Sequence, residues 1–173
     1  MKDIFKLINW QSMPNIILTG VDGVGKTTLA KWISDNYGHE YVKCSVSDGD
    51  DKVELAKQCL DSITHNTIFD RFYYPDEIVY SQIFNDDKSK HYNHEMFKDV
   101  VQQLKDKGFT VVWLVDDIDE IKKRFEKRGD DFVKSEQLKL INVRYQYEML
   151  DVIDNLPVLF VDIQNGKVMM LWQ

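Results

Sequence analysis

Several features are scarce in this chain of 173 residues, which holds two cysteines, three prolines and eight glycines. Cys44 and Cys59 are too few and too ordinarily spaced for a disulfide framework or a zinc site, so both read as reduced thiols. No apolar run approaches the roughly 20 residues of a membrane helix. The start Met1-Lys2-Asp3 shows no leader pattern, so no membrane span is expected and the expected location is cytoplasmic. Net positive charge is also lacking. A formal net charge of -7 argues against sequence-blind binding to a polynucleotide, which normally uses a basic face. A loop and a few arginines can still hold phosphates on an acidic protein, so the expected partner is a small molecule. Hydrophobic residues at 43% and charged residues at 29% are globular values and exclude disorder. One domain over residues 1–173 is the expectation, with residues 1–13 an apolar extension of no clean period.

The few glycines are concentrated. Gly20, Gly23 and Gly25 fall in Gly20-Val21-Asp22-Gly23-Val24-Gly25-Lys26-Thr27-Thr28, between the apolar run Ile16-Ile17-Leu18 and the amphipathic segment Leu29 to Tyr37. Strand, glycine loop and helix are the context a Walker A loop requires. Glycines open backbone angles closed to other residues, so successive N–H groups can turn inward on phosphate oxygens. The helix behind adds free N–H groups and the positive end of its dipole. Lys26 is then a point charge for the β- and γ-phosphates, and Thr27 a hydroxyl for Mg²⁺. Gly20, Asp22, Gly23, Val24, Gly25, Lys26, Thr27 and Thr28 are therefore the expected ATP-binding stretch.

Apolar periodicity predicts strands at Asn15–Thr19, Tyr41–Val46, Thr67–Phe69, Phe109–Val115 and Val158–Ile163, alternating with helices. The helices run from Lys26, over Val53 to Ile63, from Pro75 to Phe84, along Met96 to Leu104, along Ile118 to Phe125 and along Leu138 to Val152. Turns or loops are expected at Ser47–Asp51 and Asn85–Lys90, and Gly166-Lys167 leads into a terminal apolar run. Alternation of this kind predicts an α/β fold: three layers, five parallel strands and helices on both faces. Ligands on such sheets sit beyond the carboxyl ends of the strands, which places the glycine loop and Asp70-Arg71 at one crevice.

Asp70 follows a short buried strand, where a carboxylate can bind the water shell of Mg²⁺ or orient an acceptor oxygen. Thr27 and Asp70 are the expected metal pair. Arg71 can grip a second phosphate with its two-pronged guanidinium. Arg124 and Arg128 stand one helical turn apart before the charged stretch Lys127 to Asp131. An arginine carried by a closing lid stabilises charge spread over a phosphoryl group in transfer. Phe72, Tyr73 and Tyr74 follow the strand tip and could stack on a base. His39, His65, His91 and His94 show no metal-ligand pattern.

Taken in order, Gly20 to Thr28, Asp70-Arg71-Phe72, Arg124 with Arg128-Gly129-Asp130, and Val143-Arg144 with Tyr147 resemble the thymidylate kinase family of P-loop nucleoside monophosphate kinases. The resemblance runs from about Asn15 to Ile163. It implies transfer of a phosphoryl group from ATP, with Mg²⁺, to dTMP or a related pyrimidine deoxynucleoside monophosphate. A lid near residues 124–136 would close over ATP, and helices flanking the sheet would form a homodimer. By resemblance, Asp22 meets the sugar 3′-hydroxyl and Arg71 holds the acceptor phosphate. The catalytic set is Lys26, Asp70, Arg71, Arg124 and Arg128, and Asp22, Asp70, Arg71 and Tyr74 bind the acceptor. The glycine loop has no arginine, so Arg124 or Arg128 would supply it from the lid. The chain departs from the family in two places. No arginine occurs between Lys26 and Asp70, where the base pocket usually draws one, and Pro75 stands where a serine is usual. The base is therefore left open. So are a nucleoside or DNA hydroxyl as acceptor, and a nucleotide-binding regulatory module without turnover.

Overall fold

The computed structural model describes residues 1–44, 50–84, 91–129 and 133–171. The expectations for Val46, for the turn at 47–49, for the loop at 85–90 and for the lid at 130–132 lie outside the described residues.

The strands are β1 (Asn15–Thr19), β2 (Glu40–Val42), β3 (Thr67–Asp70), β4 (Phe109–Val115), β5 (Val158–Asp162) and β6 (Lys167–Leu171). Among the described residues they form a six-stranded sheet in the order β2-β3-β1-β4-β5-β6. The first five are parallel, as expected from their alternation with helices. The sixth is a correction to the five-strand expectation: β6 turns back through Gly166, at φ 63°, and pairs antiparallel with β5.

β1 is central. Its residues alternate between two apolar layers, with Ile16 and Leu18 in one and Ile17 in the other. The helices are α1 (Asp3–Lys6), α2 (Lys26–Tyr37), α3 (Lys52–Asp61), α4 (Tyr73–Ile83), α5 (Lys98–Asp106), α6 (Ile118–Arg128) and α7 (Leu138–Asn155). Leu29, Ala30 and Ile33 of α2 join Ile121 and Phe125 of α6 in the first layer. Ala56 and Leu60 of α3 and Val100, Val101 and Leu104 of α5 fill the second. Full burial of one such aliphatic side chain stabilises a fold by about 1.5–3 kcal/mol.

The N-terminal extension has a defined place. Ile4, Phe5, Ile8, Trp10 and Met13 join the first layer, and the Trp10 indole, fully buried, donates Nε1–H to the Phe5 carbonyl at 2.8 Å.

Register sets up the site. Leu18 of β1 pairs with Asp70 of β3, so the chain leaves both strands side by side, one into the glycine loop and the other into Arg71.

Candidate active site

Gly20 opens the loop at φ 135°, and a Cβ there would meet the Leu114 carbonyl oxygen at 2.5 Å, so only glycine fits. Gly25, at φ 110°, passes the chain into α2. Val24 N–H donates to the Val21 carbonyl at 3.3 Å and closes the turn. Val24 itself is buried in the first layer and anchors the loop.

Lys26 lies under this loop and donates to the carbonyls of Gly20 at 2.5 Å and Val21 at 2.9 Å. Burial, helped by the nearby Arg71 charge, lowers its ammonium to a pKa of about 7, against the pull of Asp22, Asp76 and Asp70. Thr27 Oγ1 donates to Asp70 Oδ2 at 2.6 Å, and the Tyr41 hydroxyl donates to the same oxygen at 2.9 Å. Thr28 is exposed at the first turn of α2.

Arg71 is the one non-glycine residue among those described with positive φ, at 70°. Such a backbone costs on the order of 1–2 kcal/mol for an L-residue, and it aims the guanidinium back across the loop. There it pairs with Asp22 and lies 5.4 Å from the Tyr80 ring centre. The Tyr80 hydroxyl donates to the other Asp22 oxygen. Burial works to raise the Asp22 carboxyl, but the charges of Arg71 and Lys26 outweigh it and hold the group below the usual carboxylate range. Lys26, Asp22 and Arg71 are thus coupled as a chain of alternating charge, with Asp22 and Arg71 in direct contact.

Several side chains here carry no sequence motif. Asp76, from the first turn of α4, is buried, and its Oδ1 accepts from Thr19 at 2.5 Å and Tyr145 at 2.9 Å. Among the described residues its Oδ2 has no hydrogen-bond partner. Burial pushes this carboxyl up, against the charges of Arg71 and Lys26. Only its spacing of five residues from Arg71 could have drawn attention to it. Tyr80 and Tyr41 were equally silent, since a tyrosine on an amphipathic segment is ordinarily core or rim.

Tyr74 requires a correction. It is buried in the second layer, its hydroxyl is 3.1 Å from His94 Nδ1, and its ring lies against Phe97. Phe72 and Tyr73 are buried beside it, and Phe72 stacks on Phe69, so none of the three presents an open face to a base. The aromatic residue that meets Arg71 is Tyr80.

The two helix arginines separate. Arg124 donates from Nη2 to Asp116 Oδ2 at 2.7 Å and from Nε to the Glu120 carbonyl at 3.2 Å. Lys2 reaches the same Asp116 oxygen at 3.2 Å. Arg128 is exposed at the last position of α6.

A glycine loop between strand and helix, a buried lysine under it and a strand-end carboxylate on the following threonine define a P-loop nucleotide-binding domain. The family comparison agrees: the AAA domain model matches residues 11–161, and the chain belongs to that family. No curated protein matches the sequence. Among solved structures, the chain is similar to the YorR protein of Bacillus subtilis in complex with phosphorylated GDP. The identity is 25%, 86% of this chain and 85% of that one are covered, and the TM-score is 0.71. A deoxyadenosine kinase from M. mycoides, with dCMP and a flexible dCDP bound as products, shares the fold at 19% identity. There the coverage is 86% and 90% and the TM-score 0.56. A gluconokinase from Sinorhizobium meliloti 1021 shares it at 13% identity, 87% and 83% coverage and a TM-score of 0.52. Among the described residues, no helix is long and apolar enough to cross a membrane.

Proposed function

We propose that this chain is a thymidylate kinase-like enzyme that moves the γ-phosphoryl group of ATP onto the phosphate of a deoxynucleoside monophosphate, dTMP or a related pyrimidine nucleotide. The observation that carries this reading is the charge chain Lys26–Asp22–Arg71, which sets one cation beneath the glycine loop and another at the tip of the neighbouring strand. That the YorR protein was solved in complex with phosphorylated GDP supports a nucleotide ligand for this fold.

In this reading, loop N–H groups and the N-terminus of α2 receive the ATP phosphates, and Lys26 exchanges the Gly20 and Val21 carbonyls for phosphate oxygens. Thr27 and Asp70 would hold Mg²⁺. Two hard oxygens 2.6 Å apart fit an ion that binds through one or two protein oxygens and keeps its remaining waters. When bound, Mg²⁺ neutralises charge on the β- and γ-oxygens. Asp22 gives up Arg71 to the acceptor phosphate and takes a sugar hydroxyl, while Tyr80 steadies both. Arg128 approaches the transferring group from the end of α6. Catalysis is then alignment and preorganised charge, without a covalent intermediate.

The direct test offers ATP and Mg²⁺ with a panel of deoxynucleoside monophosphates and nucleosides, reading products by mass spectrometry. A diphosphate formed from at least one monophosphate, and lost in Lys26→Ala, is the expected result. Phosphorylation of nucleosides alone, or ATP loss that ignores every acceptor, would exclude the monophosphate reading.

A further inference from the structure

The two cysteines play no part in the site described above, yet the fold brings them together. Cys44 lies just past β2 and Cys59 near the end of α3, with sulfur atoms 3.7 Å apart and both side chains half-buried. Tyr41, three residues before Cys44, holds Asp70 through its hydroxyl. The charges of Asp76 and Asp70 also act on the Cys44 thiol.

We propose that Cys44 and Cys59 form a reversible oxidation site, converted to an intramolecular disulfide by a small-molecule disulfide, and that this bond slows phosphoryl transfer. The second half rests on the phosphoryl-transfer reading; the first does not.

A disulfide needs sulfurs about 2.05 Å apart, so the pair must close by roughly 1.7 Å, within reach of side-chain rotation and a small chain movement. The hydrogen bond between the thiols favours the Cys59 thiolate and disfavours that of Cys44, with burial also pushing Cys44 up. Cys59 is therefore the attacking sulfur. Its thiolate displaces one half of the small disulfide as a thiol and forms a mixed disulfide. Cys44, losing its proton, then attacks the Cys59 sulfur and expels the second half. Two protein thiols are oxidised, one small disulfide is reduced to two thiols, and both protein hydrogens end on those products. The closing movement falls on the chain from Tyr41 to Cys44 and pulls at the hydroxyl on Asp70. A displacement of about 1 Å in a supporting group is enough to cost on the order of 100-fold in a phosphoryl-aligning site.

The test incubates the full chain with glutathione disulfide, alkylates it under denaturing conditions without reductant, and measures intact mass. The chain should lose the mass of two hydrogens and carry neither alkyl group nor glutathione, and dithiothreitol should restore both thiols. Cys44→Ser should stop with glutathione on Cys59. Two alkylated thiols, glutathione retained on the wild-type chain or a disulfide between two chains would each overturn the site. For the verified disulfide form, kcat should fall on the order of 100-fold, and reduction should restore it. An unchanged kcat would overturn the second half. A reduced protein that phosphorylates no acceptor would instead defeat the phosphoryl-transfer reading and leave the mass result standing.

Discussion

Lys26 carries the charge balance of the ligand-free site. Its ammonium is buried, faces two carbonyls and the Arg71 charge, and titrates near neutrality. Contact with phosphate oxygens restores the protonated form. ATP binding should therefore take up close to one proton at about pH 8 and almost none from Lys26 at about pH 6, with affinity falling as pH rises through 7. Calorimetry in buffers of different ionisation enthalpy measures this, and Lys26→Met should remove the uptake. The same depression has a stability consequence. A lysine held below its ordinary 10.5 penalises the folded state fully below about 7, so ligand-free stability should rise with pH toward 10.5. The loop glycines make a paired prediction. At Gly20 an alanine meets both strained φ and the Leu114 carbonyl, whereas at Gly25 no atom lies within 4 Å and only the strain remains. Gly25→Ala should cost about 1–3 kcal/mol of stability in thermal or denaturant unfolding, and Gly20→Ala more. The loop and Asp70-Arg71 were legible because their chemistry needs fixed residue types at fixed spacing. Asp76 and Tyr80 were not, since their roles come from α4 folding over the loop, a contact between residues more than fifty apart.

The elements differ in how their ends are used. Asp117 caps α6 by accepting from Asp119 and Glu120, and Arg128 ends it. Between these ends, Arg124 is fixed to Asp116, an arrangement that anchors the helix base near the N-terminal Lys2. Arg128→Ala should therefore lower kcat by about 10³-fold or more, with little change in nucleotide affinity. Arg124→Ala should show mainly a loss of stability, measured by thermal unfolding. A larger kcat loss in Arg124→Ala than in Arg128→Ala would reverse the assignment. Most elements were legible because their apolar periods are long. β6 was missed for a physical reason: its five residues are largely exposed, so no alternation of apolar and polar positions marks it. Tyr74 was misplaced for the opposite reason. A tyrosine after a strand tip reads as accessible, but its ring is claimed by Phe97 and its hydroxyl by His94.

At the scale of the molecule, alternating strands and helices predicted the parallel sheet and placed β1 and β3 together. They could not fix the position of residues 1–13, whose apolar side chains have no period of their own and are ordered by the surface they cover. Leu140, Val143, Tyr147 and Leu150 are exposed along α7 at spacings of three and four. If the proposed homodimer forms, this row is its seam, and Leu150→Glu should convert a dimer to a monomer in sedimentation experiments. The central claim is that two phosphate-holding cations serve a single cleft, one beneath the glycine loop and one at the neighbouring strand tip. A bisubstrate analogue, adenosine joined to a pyrimidine deoxynucleoside through a phosphate chain, measures this most directly. It should bind at least about 100-fold more tightly than ATP, and both Lys26→Ala and Arg71→Ala should erase that gain. Binding no tighter than ATP and indifferent to Arg71→Ala would contradict the account.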